Sequence, residues 1–214
     1  MSKGANRPDL AKRGFARTNS QTIAQRVAIL RELLPATTSI AEFCCGDCSG
    51  QATAYADALG VKRFRGLDVT AEIVQQNRAK GIDCVQGNVL DEKVLRGFLD
   101  FDVVFFGPPL STDCDGHRLH RYGDVEPSFA AFTTLFLNAL SYQGTLVCIC
   151  PKSTTLGDVQ TLYSHVRSLR PDVNLRLVQH SYSTVTGAGE VTEPRLKYVD
   201  VWLSSHLPDA WEIR

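Results

Sequence analysis

The sequence predicts a three-layer α/β domain: one mostly parallel, seven-stranded sheet, doubly wound with helices on both faces, with an antiparallel strand at its C-terminal end. Three observations carry this. Short apolar runs alternate with stretches of helical periodicity as far as residue 169. The tail then changes rhythm, with two strand-like runs, Val173 to Thr184 and Tyr198 to His206, and no room between them for a crossover helix. A length of 214 residues suits one α/β domain with a large core, residues 1–214 forming a single unit.

Each element has its own signal. Asn19-Ser20 offers a helix cap, and Ile23, Val27, Leu30, Leu33 and Leu34 follow at helical spacing until Pro35. The apolar run from Ser39 ends abruptly in Cys44-Cys-Gly-Asp-Cys-Ser-Gly50, and a helix follows from about Gly50 to Leu59, so this stretch reads as strand, tight turn, helix. Arg63-Phe-Arg-Gly-Leu-Asp68 is a second strand ending in an acid. Thr70 caps a helix to Lys80, stopped by Gly81, and Ile82 to Gln86 is the third strand. After Gly87-Asn88-Val89-Leu90-Asp91 comes a short helix to about Phe98. Asp102 to Phe106 is the fourth strand, running into Gly107-Pro108-Pro109-Leu110. A polar loop covers Ser111 to Glu126. Pro127 opens a helix whose apolar face is Phe129, Phe132, Leu135, Phe136 and Leu140. Gly144 to Cys150 is the fifth strand, stopped by Pro151, and Thr155 to Leu169 its helix. The last two strands pair antiparallel across the loop 185–197.

Charge is balanced, 23 basic residues against 23 acidic, so no field over the whole molecule points to nucleic acid or to an acidic membrane. Locally the first 31 residues carry Lys3, Arg7, Lys12, Arg13, Arg17, Arg26 and Arg31 against Asp9, which reads as a solvated arm or as one that touches phosphates. No apolar stretch approaches the length of a membrane span, and the polar N-terminus has no signal-peptide core, so no membrane partner and a cytoplasmic location are expected. Seven cysteines, an odd number with Cys148 and Cys150 inside an apolar run, fit reduced, buried thiols better than a disulfide framework.

The turn after the first strand is the candidate site. A strand-to-helix turn leaves backbone N–H groups and the positive end of a helix facing a crevice at the carboxyl edge of a sheet, where nucleotide-like ligands bind. Asp68 lies about twenty residues further on, the spacing at which an acid on the next strand reaches ribose hydroxyls.

This arrangement resembles the class I S-adenosylmethionine-dependent methyltransferases, with their three-layer Rossmann-like fold. The resemblance spans roughly residues 36 to 207, the cofactor-binding core, preceded by the basic arm and helix of residues 1–35. Glu42-Phe-Cys-Cys-Gly46-Asp-Cys-Ser-Gly50 resembles the family's first motif, which implies that Glu42, Cys44 and Gly46 hold the methionine end of S-adenosylmethionine. Asp68, with Val69 beside it, resembles the ribose-binding acid, and Asn88 with Val89 the pair beside the adenine. Gly107-Pro108-Pro109-Leu110 resembles the fourth motif, Asp/Asn-Pro-Pro-aromatic in amino methyltransferases of nucleic acids and proteins. Here Gly107 replaces the Asp or Asn that would hold an amine and Leu110 the stacking aromatic, while Cys44 and Cys48 stand where the first motif often has glycines. The resemblance implies methyl transfer to an acceptor that is an amino group of a nucleic acid or protein or, from the neutral charge and altered fourth motif, a small molecule. Pro108 and Pro109 would aim a carbonyl at the nucleophile. A base, if one is used, would come from Asp113, Asp115, His117, His120, Tyr122 or Asp124, with the imidazoles of His117 and His120 first because they titrate near neutral pH. The helix 20–34 and the loops 111–126 and 185–197 would shape the acceptor pocket.

Other readings stay open. Cys45-Gly-Asp-Cys48 sits where a thioredoxin-type redox pair would, although the chain is far longer than that fold needs. The same pair with Cys114 and His117 would make a Cys₃His zinc set. The fold without catalysis would leave a nucleotide-binding module. A nicotinamide dehydrogenase is excluded by the lack of Gly-x-Gly-x-x-Gly.

Overall fold

A computed structural model describes residues 18, 20–89, 91–107, 140–151, 156–182, 196–208 and 212–213. In chain order its elements are α1 (Ser20–Leu33), β1 (Ser39–Phe43), α2 (Ser49–Leu59), β2 (Arg63–Asp68), α3 (Ala71–Ala79), β3 (Cys84–Gln86), α4 (Glu92–Leu95), β4 (Phe101–Phe106), β5 (Leu140–Pro151), α5 (Leu156–Leu169), β6 (Asn174–Tyr182), β7 (Leu196–Ser204) and β8 (Glu212–Ile213). They form one sheet of order β3-β2-β1-β4-β5-β7-β6-β8. Neighbours from β3 to β5 run parallel, while β7 is antiparallel to both β5 and β6. This is the expected seven-stranded, doubly wound sheet with its antiparallel C-terminal strand. Beyond it, β8 adds two residues parallel to β6, Arg176↔Glu212 and Leu177↔Ile213, too short a run to be read from sequence.

Strand parity divides the core into two layers, because successive side chains of a strand face opposite sides of the sheet. Ala41, Phe43, Val104 and Phe106 pack on one side with Phe98, Val166 and Leu175. Ile40, Val103 and Phe105 pack on the other with Tyr55, Trp202 and the apolar stripe of α1, Ile23, Val27, Leu30 and Leu33. Phe101 breaks parity by joining Phe98, since the β4–β5 register shifts between Phe101↔Leu140 and Val103↔Thr145.

That shift explains one departure from expectation. Leu140 pairs with Phe101 at the start of β5, so it belongs to a strand and not to the apolar helix face expected from the sequence. Other boundaries move by a few residues: β3 begins at Cys84, β6 begins at Asn174, and β7 runs from Leu196 to Ser204, where a turn takes His206 out of the strand. Thr70 precedes α3 without a side-chain cap bond; the Asp68 carboxylate accepts the Thr70 N–H instead, at 2.9 Å. The basic arm up to residue 17, the loop 111–126, the helix expected from Pro127 and the loop residues 185–195 lie outside the described residues.

One buried ion pair ties the first helix to the last strands. Arg26 of α1 and Asp200 of β7 are both fully buried; Arg26 Nε donates to Asp200 Oδ2 at 2.7 Å and a terminal nitrogen donates to Oδ1 at 3.0 Å. The guanidinium also lies 5.0 Å from the centre of the Phe105 ring, and Tyr55 of α2 stacks on the same ring at 5.6 Å. A second pair, Arg176 of β6 with Glu32 of α1 at 2.9 Å, holds the other end of the helix.

Candidate functional site

Parallel register puts the ends of β1, β2, β3 and β4 on one edge. Phe43 pairs with Leu67 and Phe106, and Asp68 with Gln86. Glu42, Cys44, Gly46, Asp68, Val69, Asn88, Val89 and Gly107 therefore gather at the carboxyl edge, where α/β sheets bind ligands. Pro108, Pro109, His117 and His120 lie outside the described residues, as does Cys114.

The turn from β1 to α2 is bent by two left-handed residues, Cys44 at φ 57° and Gly46 at φ 53°. Glycine adopts this conformation freely, whereas a cysteine does so at a cost of roughly 1–2 kcal/mol. Cys44 thus sits strained at a glycine-type position of the motif. A Cβ added at Gly46 would meet nothing within 4 Å, so the backbone there opens onto space.

Asp68 fixes the turn from the next strand. One carboxylate oxygen accepts the Gly46 N–H at 3.0 Å and the other the Thr70 N–H at 2.9 Å. An ionised carboxylate has about four acceptor sites, so two remain for hydroxyl donors. Asp47 braces the far side, accepting from the Ser49 hydroxyl at 2.7 Å and from Lys80 Nζ at 3.0 Å. Its burial, which alone would raise the pKa, is outweighed by these donors, and the carboxyl is held below the usual carboxylate range.

Glu42 is buried at the end of β1, on the α1 face of the sheet. Gln51 Nε2, from the first turns of α2, donates to Oε1 at 3.2 Å and to Thr18 Oγ1 at 2.8 Å. The other oxygen, Oε2, is buried with no hydrogen-bond partner among the described residues. Burial pushes the Glu42 pKa up to about 7; the Arg26 charge and the Gln51 bond oppose this, and Asp200 adds to it. A buried, unpartnered carboxylate oxygen is suited to a cationic donor.

The remaining residues expected at the site divide. Val69 is 55% exposed, an apolar surface beside Asp68, whereas Val89 is buried in the core with only Asn88 turned to solvent. Gly107 N–H donates to Phe43 O at 3.3 Å, and a Cβ there would touch Ile149 Cδ1 at 3.4 Å.

Sequence reasoning missed Gln51, the Arg26–Asp200 pair and the partner of the paired cysteines. Cys45 meets Cys84 of β3, with sulfurs 3.8 Å apart, and Cys48 joins them in a small buried cluster. Asn77 reaches the same place, donating to Gly46 O at 2.8 Å. Its signal was available: Ile73, Val74 and Asn77 share one helical face, so the amide had to be buried. Among the described residues no group of three His, Cys, Asp or Glu side chains is arranged to hold a metal ion, and no helix is long and apolar enough to cross a membrane.

No protein-family model matches the chain, and no curated protein matches it in sequence. Solved structures do. A candidate RNA methyltransferase from Pyrococcus horikoshii is 13% identical, with a TM-score of 0.57 over 94% of this chain and 91% of its own. The plantazolicin methyltransferase BamL, solved with a desmethylated plantazolicin analogue and S-adenosylhomocysteine, is 12% identical, with a TM-score of 0.56 over 88% and 87%. A precorrin-6y C5,15-methyltransferase from Geobacter metallireducens is 13% identical, with a TM-score of 0.54 over 88% and 89%. The fold is that of the class I S-adenosylmethionine-dependent methyltransferases.

Proposed function

We propose that the chain is an S-adenosylmethionine-dependent methyltransferase and that the edge formed by β1, β2 and β3 holds the cofactor. The observation that carries this is the joint placement of the Gly46 turn, the Asp68 carboxylate bonded to it at 3.0 Å, and the buried oxygen of Glu42 that has no hydrogen-bond partner among the described residues. The residues fit the cofactor's three parts. Glu42 Oε2 offers the ammonium a counter-charge, Asp68 keeps acceptor capacity for ribose hydroxyls, and exposed Val69 offers apolar surface to adenine. The open space at Gly46 lets backbone approach the ligand closely.

When bound, S-adenosylmethionine supplies a methyl group on a sulfonium, open to in-line displacement. The chain's share is then to align and to exclude water, and alignment alone is worth several kcal/mol of barrier. The acceptor we favour is an amino group of a nucleic acid or protein, from the Pro108-Pro109 pair after β4 and the basic arm. Gly107, with no side-chain oxygen, and the balanced charge support a small molecule as the second reading.

Calorimetric titration with S-adenosylmethionine and S-adenosylhomocysteine tests the cofactor. Micromolar affinity, about −8 kcal/mol, is expected, weakened about tenfold or more in Asp68→Ala. A folded, reduced sample that binds neither ligand refutes the proposal. An acceptor screen over RNA, DNA, protein and small amines then separates the two readings, and binding without transfer to any acceptor would leave a nucleotide-binding module.

A further inference from the structure

We propose that Cys45 and Cys84 are a disulfide-forming pair, and that joining them remodels the turn between β1 and α2. The two residues come from either side of β2. They meet because β2 carries Gly66 between them: Gly66 pairs with Cys84 on β3, and the turn carrying Cys45 folds back so that Cys45 N–H bonds Leu67 O at 3.1 Å. A Cβ at Gly66 would lie 2.8 Å from the Cys45 sulfur, 3.3 Å from that of Cys48 and 3.4 Å from that of Cys84. The bare backbone of one glycine is thus the floor on which three thiols sit, and no disulfide joins them in this structure.

The sulfurs of Cys45 and Cys84 are 3.8 Å apart, against about 2.05 Å in a disulfide, so bonding needs an approach of about 1.8 Å. Cys84 is fixed in the sheet, where Gly66 N–H bonds Asp83 O at 2.8 Å. Cys45 stands between two left-handed residues on the turn, so the turn makes the movement. That movement draws Gly46 N–H away from Asp68 and Gly46 O away from Asn77.

The two thiols are also unequal. Hydrogen bonding with Cys48 and Cys84, then burial, pushes the Cys45 thiol well up. The bond from Cys45 holds Cys84 below the usual thiol range against its own burial, helped by the Asn77 amide 3.7 Å from its sulfur. With hydrogen peroxide as oxidant, the Cys84 sulfur attacks the O–O bond, giving a sulfenic acid and one water. The Cys45 sulfur then attacks the Cys84 sulfur, forming S–S and releasing the second water. Two thiols lose two electrons and two protons to one peroxide. Both thiols are buried, 6% and 1% exposed, so the reaction waits on opening of the turn.

The test uses the full chain, oxidised with hydrogen peroxide, alkylated and mapped by peptide mass spectrometry, with hydrogen exchange followed on the same samples. The expected product is a Cys45–Cys84 cross-link reversed by dithiothreitol, with amide exchange at Gly46 about tenfold faster or more in the oxidised form, since its hydrogen bond to Asp68 is lost. A Cys45–Cys48 bond, over-oxidised sulfur without a cross-link, or no reaction overturns the pairing. A Cys45–Cys84 bond with unchanged exchange at the turn overturns the remodelling. Loss of S-adenosylmethionine affinity on oxidation is a further expectation that rests on the proposed function. Reduced protein that binds no cofactor would count against that function alone and leave both readouts standing.

Discussion

Asp200→Asn isolates the charge of the pair that joins α1 to β7. Asparagine keeps the shape and one acceptor oxygen, so the change leaves the Arg26 guanidinium fully buried without its counter-carboxylate. Breaking one partner of a buried pair costs about 3–5 kcal/mol, because the surviving charge is already desolvated. Against a total stability of about 5–15 kcal/mol this is a large share. In urea, with a slope of about 2.5 kcal/mol per molar, the midpoint should fall by about 1–2 M. A second carboxyl modulates the loss. Glu42 acts electrostatically on the same guanidinium, and removing the Asp200 charge lowers its pKa. The deficit should therefore be larger at pH 5.5, where Glu42 is protonated, than at pH 8. Equilibrium urea unfolding at both pH values measures it, with Arg26→Met, Asp200→Leu and the double variant Arg26→Met/Asp200→Leu completing a cycle; the double variant should regain most of the loss. A deficit below about 1 kcal/mol at both pH values would refute the reasoning.

Glu42→Gln should change the pH dependence of stability. An acid whose folded pKa is raised from 4.5 to about 7 binds more protons folded than unfolded between those values, so wild-type stability falls across that window and is level above it. The variant, which cannot ionise, should lose that slope of roughly 3 kcal/mol at most, read by thermal or urea unfolding at pH 5 and pH 8. The same substitution should weaken S-adenosylmethionine about tenfold or more at pH 8 by calorimetry, because the counter-charge for the ammonium is gone. Gly66→Ala forces a methyl against three sulfurs and should cost about 1–3 kcal/mol by overpacking, measured by urea unfolding. Cys44→Gly releases a left-handed cysteine and should raise stability by up to about 1 kcal/mol, less whatever glycine adds to the entropy of the unfolded chain.

Local patterns in the sequence carried most of the fold. The strand ending at Asp68 is bounded in the structure by the residues the sequence indicated, and so is the antiparallel rhythm of the tail to within a few residues, because periodicity and flanking glycines act on neighbours along the chain. The register shift at Phe101 and the two-residue β8 depend on distant strands and left no local trace. The candidate site divides in the same way. Gly46 and Asp68 are legible because their spacing is fixed by one strand–helix–strand unit. Arg26 and Asp200 are 174 positions apart, one within a helix stripe and the other in an alternating strand, and neither signals the other. The contact of Cys45 with Cys84 went unread for a related reason: the missing side chain at Gly66, on the strand between them, opens the way from one sulfur to the other, and no spacing along the chain signals it.

The pairing of Glu212 and Ile213 with Arg176 and Leu177 has a consequence for self-association. β6 is the last long strand of the sheet, and its outward N–H and C=O groups are a template for any other extended chain. Two residues of the protein's own tail occupy that template at its start. A second chain that would add a strand across Arg176 and Leu177 must first displace Glu212 and Ile213, so edge-to-edge pairing at that end of β6 competes with a contact the chain already makes to itself.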